Sequence, residues 1–398
     1  MQHSPPYSAV RRSGDNLLHA NDQIGDKNSA AKAARELCVN TKTTFRDLIE
    51  TPKNNLNLIR LVAALAVTFS HAYVLTGHAK QEPWLMLTGA QTFAYLAVFV
   101  FFVVSGLLIS RSFDQNSNIG YYIGSRVLRI YPALLMSVVL CALPLGLAFT
   151  HLPISDYLHN ARVLNYIVEN LRFNTNYELP GVFVNTPVSN TVNGSLWTLA
   201  IEVYAYFMVV IFALLGLLKS RSLFNVTAAM LVLLYMKEPA GFLLVPGEWD
   251  TPVFIPLAGF LFGAFVYVNR CHIQGRLRYI VLLLIIYGIF QDSVVHRTLF
   301  TVAVGYVVLV IGFHQKLQLN IFLKNDYSYG IYIYSFPIQQ AIVFSLPDLQ
   351  PLQHFVLAML CILPLAALSW HLLEKPALQL KRFLPRPAER PSRLRKGA

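Results

Sequence analysis

The sequence predicts an all-α polytopic membrane protein of about ten transmembrane helices, with the N- and C-termini cytoplasmic. Three observations carry that expectation. First, 55% of the 398 residues are hydrophobic and only 13% are charged, with mean hydropathy +0.49, whereas about a quarter of a soluble domain is charged. Second, apolar runs of about 17 to 25 residues, the length that crosses a bilayer as a helix, recur along the chain. Third, Lys and Arg fall in alternate connections. Eighteen lie in or beside one set of loops and the C-terminal tail, against five in the opposite set (Lys80, Arg162, Arg172, Lys237, Arg297). Basic loops stay on the cytoplasmic side.

The expected spans cover residues 57–77, 91–110, 130–150, 195–218, 223–237, 251–268, 277–291, 297–314, 327–346 and 354–373. The fifth, seventh and eighth are short or closely spaced. Residues 1–53 are polar and lack the apolar core of a signal peptide, so they read as a cytoplasmic tail. Residues 54–376 form one membrane domain, and 377–398 a basic cytoplasmic tail suited to anionic lipid. The net charge of +12 sits in tails and loops rather than in one patch, so it reads as a topology signal and not as a nucleic-acid footprint. Cys38, Cys141, Cys271 and Cys361 have no paired spacing, so neither a disulfide framework nor a metal site is expected.

Charge inside such runs is costly and points to function. The first run, NLIRLVAALAVTFSHAYVLTG, holds Arg60 and His71 eleven steps apart. That spacing is about three turns plus 20°, so Asn57, Arg60, Ala64, Val67 and His71 share one face, with roughly 16 Å between the two polar groups. At the entry of the third run, SRVLRIYP puts Arg126 and Arg129 at i and i+3 on one face. With Arg60 at the same membrane face, three guanidinium forks suited to phosphate gather at one depth. The fourth run opens with NGSLWTLAIEVYAYF, where Ser195, Thr198 and Glu202 share a face beside Trp197. Counted from the outer boundary, Glu202 lies roughly 10 Å deep and His71 roughly 9 Å. Matching depth would let the carboxylate orient the imidazole as a general base. In SYGIYIYSFPIQQ, Tyr332 and Ser335 are candidate channel-lining residues, as is Ser105 in FFVVSGLLIS.

Taken in order, Arg60 and His71, FFVVSGLLIS, Arg126 and Arg129 before IYP, SLWTLAIE, SYGIYIYSFP and LEKP at 373–376 resemble the integral-membrane acyltransferase-3 family of bacterial surface-carbohydrate O-acyltransferases. The likeness runs from about Asn57 to Pro376. It implies a ten-helix, multi-pass enzyme of the bacterial cytoplasmic (inner) membrane. The enzyme would move an acyl group, usually acetyl from acetyl-CoA as co-substrate, to a hydroxyl of an extracytoplasmic carbohydrate, with no bound cofactor. It also implies that His71 is essential and that Arg60, Arg126 and Arg129 serve the donor. Many members carry histidine where this chain has Ser335, so no second catalytic histidine is expected there.

The bottom-up reading fits that chemistry: arginines on the cytoplasmic side for the donor phosphates, and His71 beyond them, within reach of a pantetheine arm. Direct transfer and an acyl-enzyme route remain alternatives, as do exopolysaccharide, O-antigen and glycolipid acceptors. The outer loop from His151 to Gly194 offers Tyr157, Tyr166, Phe173, Tyr177 and Phe183 among asparagines, which suits sugar rings and an interfacial belt equally. The rival class is a secondary transporter of a small anionic or sugar substrate, although the paired interrupted helices of two repeats are not evident.

Overall fold

The computed structural model describes residues 44–51, 54–89, 91–237, 254–290, 295–314 and 325–385. Among them the protein is helical, with isolated bridges but no strand. Ten apolar helices correspond to the ten expected runs: α1 Leu56–Leu75, α2 Phe93–Gln115, α3 Ile119–Leu140, α4 Trp197–Leu214, α5 Arg221–Lys237, α6 Phe254–Val268, α7 Leu277–Ile289, α8 His296–Gly312, α9 Ser328–Ser345 and α10 Pro351–Ser369. α3 runs on through a wide turn at Cys141–Leu145, around Pro144, to Phe149. α10 continues likewise through Trp370–Glu374 to Phe383.

Five of these helical segments are long and apolar enough to cross a membrane: α1, α2, α3 with its extension, α4, and α10 with its extension. Four more, within α5, α6, α7 and α8, are apolar but shorter. α9 reaches span length, yet three serines, three tyrosines and two glutamines lower its hydropathy. Its position accounts for that composition. Thirteen of its residues are buried, on every face, so it needs no apolar stripe toward lipid.

α9 is the centre of the bundle. It packs against α1 and α10, and α1 packs against α2. Buried amides tie these helices together. Gln339 donates to the Thr68 carbonyl at 2.9 Å, and His354 Nε2 lies 2.9 Å from the Gln339 carbonyl oxygen, which binds α1, α9 and α10 to one another. Asn193, just before α4, donates to the Ile333 carbonyl and to Ser137 on α3. In an interior without water, each satisfied amide fixes the rotation of its helix.

The closest helix pair is α2 with α6, and glycine explains it. A Cβ on Gly106 would collide with the Phe260 carbonyl, and one on Gly263 with the Val103 carbonyl. Small residues let membrane helices approach to backbone contact. At the periphery, α7 buries no residue and presents Val281, Leu282, Leu284, Ile285 and Ile289 outward, as hydrocarbon surroundings favour.

Phe45–Glu50 is a short helix whose Phe45 is fully enclosed by the rings of Tyr306 and Phe313, and Phe45 N–H donates to the Ile273 carbonyl. The turn seals the α6–α7 connection and the end of α8, at the level where α1 begins. The remainder of the expected N-terminal tail, and residues 386–398 of the basic tail, lie outside the described residues.

Candidate active site

Arg60 and His71 lie on one uninterrupted helix, α1, so the rise of 1.5 Å per residue sets them about 16 Å apart along the axis. Each has company that helical spacing within α1 could not indicate. At the Arg60 end, Asp326 waits just before α9. Arg60 Nη1 donates to Asp326 Oδ2, and Arg129 Nη2 donates to the same oxygen at 2.6 Å. Ser328 donates to Oδ1 at 2.5 Å. Arg129 also pairs with Glu374 at 3.4 Å, and Glu374 accepts from Ser369. The side chains of Arg129, Asp326 and Glu374 are only 16%, 12% and 1% exposed, so this is a buried four-member ionic network that joins the ends of α1, α9 and α10 to the middle of α3. Burial alone would push the Asp326 carboxyl up. The two guanidiniums and Ser328 outweigh burial and hold it down at about 2.

Arg126 stands apart from this network. Its guanidinium lies between the rings of Tyr122 and Tyr206, 5.5 and 5.7 Å from their centroids, and donates to Ser112 at 3.0 Å. The three arginines expected to form one cluster thus divide into a carboxylate-neutralised pair and a third that, among the described residues, has no carboxylate partner. The partners make the division: Arg129 reaches Asp326 before α9 and Glu374 beyond α10, while Arg126, one turn earlier on the same helix, lies against Tyr206 of α4 and Ser112 of α2.

Between Arg60 and the half of the bundle that holds His71 lies a small cavity of about 50 Å³, lined by Arg60, Phe101, Ser105, Glu202, Tyr329 and Tyr332 among others. It gathers Arg60, Ser105, Glu202 and Tyr332 from four helices. Its floor is fixed by hydrogen bonds: Tyr206 donates to Glu202, and Tyr332 OH lies 2.7 Å from Thr198 Oγ1. Ser335, Ser195 and Trp197 line the packing around it rather than the cavity. Ser335 is fully buried and donates to the Tyr332 carbonyl, Ser195 is buried, and Trp197 begins α4 against the core.

His71 lies further along. Its ring meets Phe336 edge-on, with centroids 5.2 Å apart, and its Nδ1 is buried without a hydrogen-bond partner. No hydrogen bond joins it to Glu202 among the described residues, which corrects the expectation of matched depth. The cause is where α4 starts. Gly194 packs on Phe336, where a Cβ would fall 2.6 Å from the ring, so the chain is already at the level of His71 before the helix begins. Glu202 lies five residues into α4, which begins at Trp197, so it is about 8 Å further along from the helix start at the helical rise. Glu202 accordingly belongs with Arg60.

A scan against family models matches an acyltransferase domain of the acyltransferase-3 type over residues 53–371. The chain belongs to the acyltransferase-3 family. It is therefore an acyltransferase, and the Arg60-to-His71 axis is its candidate active site. Two relatives extend the comparison. An "O-acetyl transferase" of Shigella phage Sf6 is 27% identical over 345 residues, covering 84% of this chain and 96% of that one. "Nodulation protein 10" of Rhizobium leguminosarum bv. viciae is 27% identical over 369 residues, covering 83% of this chain and 95% of that one. No solved structure matches the chain.

In the acyltransferase's connection from His151 to Gly194, which suited a sugar platform and an interfacial belt equally, most of the aromatic rings turn inward. Tyr157, Tyr166 and Phe183 are fully buried: Tyr157 donates to the Ala142 carbonyl, and Phe183 stacks among Phe149 and Phe344. These rings seal the end of the bundle nearer His71 than Arg60. Only Tyr177, and Phe173 with its edge on Tyr131, remain accessible. The partners missed in the sequence are Asp326 and Glu374. Asp326 sits in a polar connection between runs, while Glu374 stands within the LEKP stretch and could have been flagged as a carboxylate closing the last run.

Proposed function

We propose that the protein is a membrane O-acetyltransferase that takes acetyl from acyl-CoA on the side of the basic loops and delivers it to a carbohydrate hydroxyl on the other. The observation that carries this reading is the single helix bearing Arg60 and His71, with the Ser105, Glu202 and Tyr332 cavity beside it. A pantetheine arm, on the order of 15 to 20 Å long, matches the roughly 16 Å between the two side chains. The family supplies the acyl transfer, and the phage relative's name supplies the O-acetyl class.

In this reading the donor's phosphates stay among the arginines while its thioester comes up to His71. The acceptor hydroxyl gives its proton to His71 Nδ1 as its oxygen bonds to the thioester carbonyl carbon; the C–S bond then breaks, and the proton passes to the departing sulfur. Phe336 holds the imidazole plane. Glu202 is placed to balance Arg60 along the donor's path, held by Tyr206. The 50 Å³ cavity must widen to admit the arm, so donor entry requires α2, α4 and α9 to part.

The deciding experiment supplies isotopically labelled acetyl-CoA to membranes containing the protein and follows the label. Label in extracytoplasmic carbohydrate that depends on His71 supports the reading. Label confined to the soluble pool, or uptake of labelled sugar with no acetyl-CoA present, overturns it.

A further inference from the structure

Arg126 and Lys381 form an arrangement that the ionic network does not explain. The short helix Lys375–Gln379 and the turn Leu380–Phe383 fold back along the first turns of α3. Gly124 fixes that docking, because a Cβ there would lie 2.8 Å from Leu384 Cδ2. The result brings Lys381 within electrostatic reach of Arg126 and Arg129. Arg129 is occupied by Asp326 and Glu374. Arg126 and Lys381 have no carboxylate within ion-pair distance among the described residues, and Arg126 Nε is buried with no hydrogen-bond partner.

Two like charges held together by packing, with no counter-charge, cost free energy that an anion recovers. Beside Arg126 an apolar groove of about 250 Å³ runs between α3 and α4, past Ile123, Val127, Val203 and Phe207, so the ligand's non-phosphate part has an apolar wall to lie against. We infer that Arg126 and Lys381 together bind a phosphate group, the guanidinium as a fork and the ammonium as a point charge. Two sources carry that chemistry: the phosphates of coenzyme A, in which case the inference rests on the donor proposed above, or the headgroup of an anionic phospholipid. The family match ends at residue 371, so Lys381 lies beyond the matched domain.

The test uses the full chain in nanodiscs, with Lys381→Met, which keeps the aliphatic stem, and Lys381→Arg as the charge-restoring control. In phosphatidylcholine discs, coenzyme A is titrated directly. In a second arm without coenzyme A, thermal stability is followed as phosphatidylglycerol replaces phosphatidylcholine. If coenzyme A is the source, Lys381→Met weakens its binding about 10-fold and Lys381→Arg restores most of it. If lipid is the source, Lys381→Met leaves coenzyme A binding alone and removes the stabilisation by phosphatidylglycerol. Unchanged behaviour of Lys381→Met in both arms overturns the site. Failure of the wild type to bind coenzyme A removes the donor proposal while the lipid arm still decides this one.

Discussion

Arg129 Nη2 lies 2.6 Å from Asp326 Oδ2, an oxygen that Arg60 shares. One carboxylate thus clamps the starts of α1 and α9 to the middle of α3. Removing it strands two guanidiniums in a partly dry site, and breaking a buried pair from one side costs about 3 to 5 kcal/mol. Asp326→Ala should therefore lower the unfolding temperature sharply in detergent, more than Arg46→Ala, whose pairing with Glu50 is exposed.

The same carboxylate gives a pH signature. Its value of about 2 lies below the ordinary 3.8, so its stabilisation is complete above 3.8 and is lost as pH falls through about 2. Melting curves should show no contribution from this group between pH 5 and 8, and a loss below about pH 4. Asp326→Asn should flatten that acid limb. An unchanged limb would assign the acid sensitivity to other carboxylates.

His71→Gln should cut transfer by about 100 to 10,000-fold, the usual cost of losing a positioned base, with membrane expression near wild type. Activity within a few-fold of wild type would remove His71 from the chemistry.

Glu202 lies with Arg60 rather than His71, so its replacement should act on the donor. Glu202→Gln should raise the KM for acetyl-CoA and leave the pH dependence of kcat in place. A displaced kcat profile would instead mean that the carboxylate reaches the imidazole during turnover.

Gly106→Ala should be poorly tolerated because its methyl would enter the Phe260 carbonyl, and overpacking of this kind costs about 1 to 3 kcal/mol or more. Gly288→Ala on α7 has open space around it and should be close to neutral. Expression and melting temperature of the two variants make the comparison.

Much of this was legible in the sequence. The ten apolar runs each became a helix, and the helical period put Arg60 and His71 on α1 with their true separation. Long-range pairing was not legible. Asp326 is 266 residues from Arg60 and 197 from Arg129, and no local period marks such partners. The depth of Glu202 was misjudged because the chain already meets Phe336, beside His71, at Gly194, in a turn before α4 begins at Trp197. Composition cannot register a recessed helix start. The outer aromatics were ambiguous for a similar reason: rings that seal a bundle and rings that face solvent have the same sequence.

The enclosure of α9 reaches into how this chain can vary over time. A helix with a lipid-facing side drifts freely on that side, so its tolerated substitutions form stripes of period 3.6. α9 offers no such side. A saturation mutagenesis map should show an unbroken band of intolerance from Ser328 to Gln340, admitting only changes that keep volume and hydrogen bonding, beside an almost blank α7. New specificities in such a protein would arise at the helices around α9, which alone remains as the fixed axle of its history.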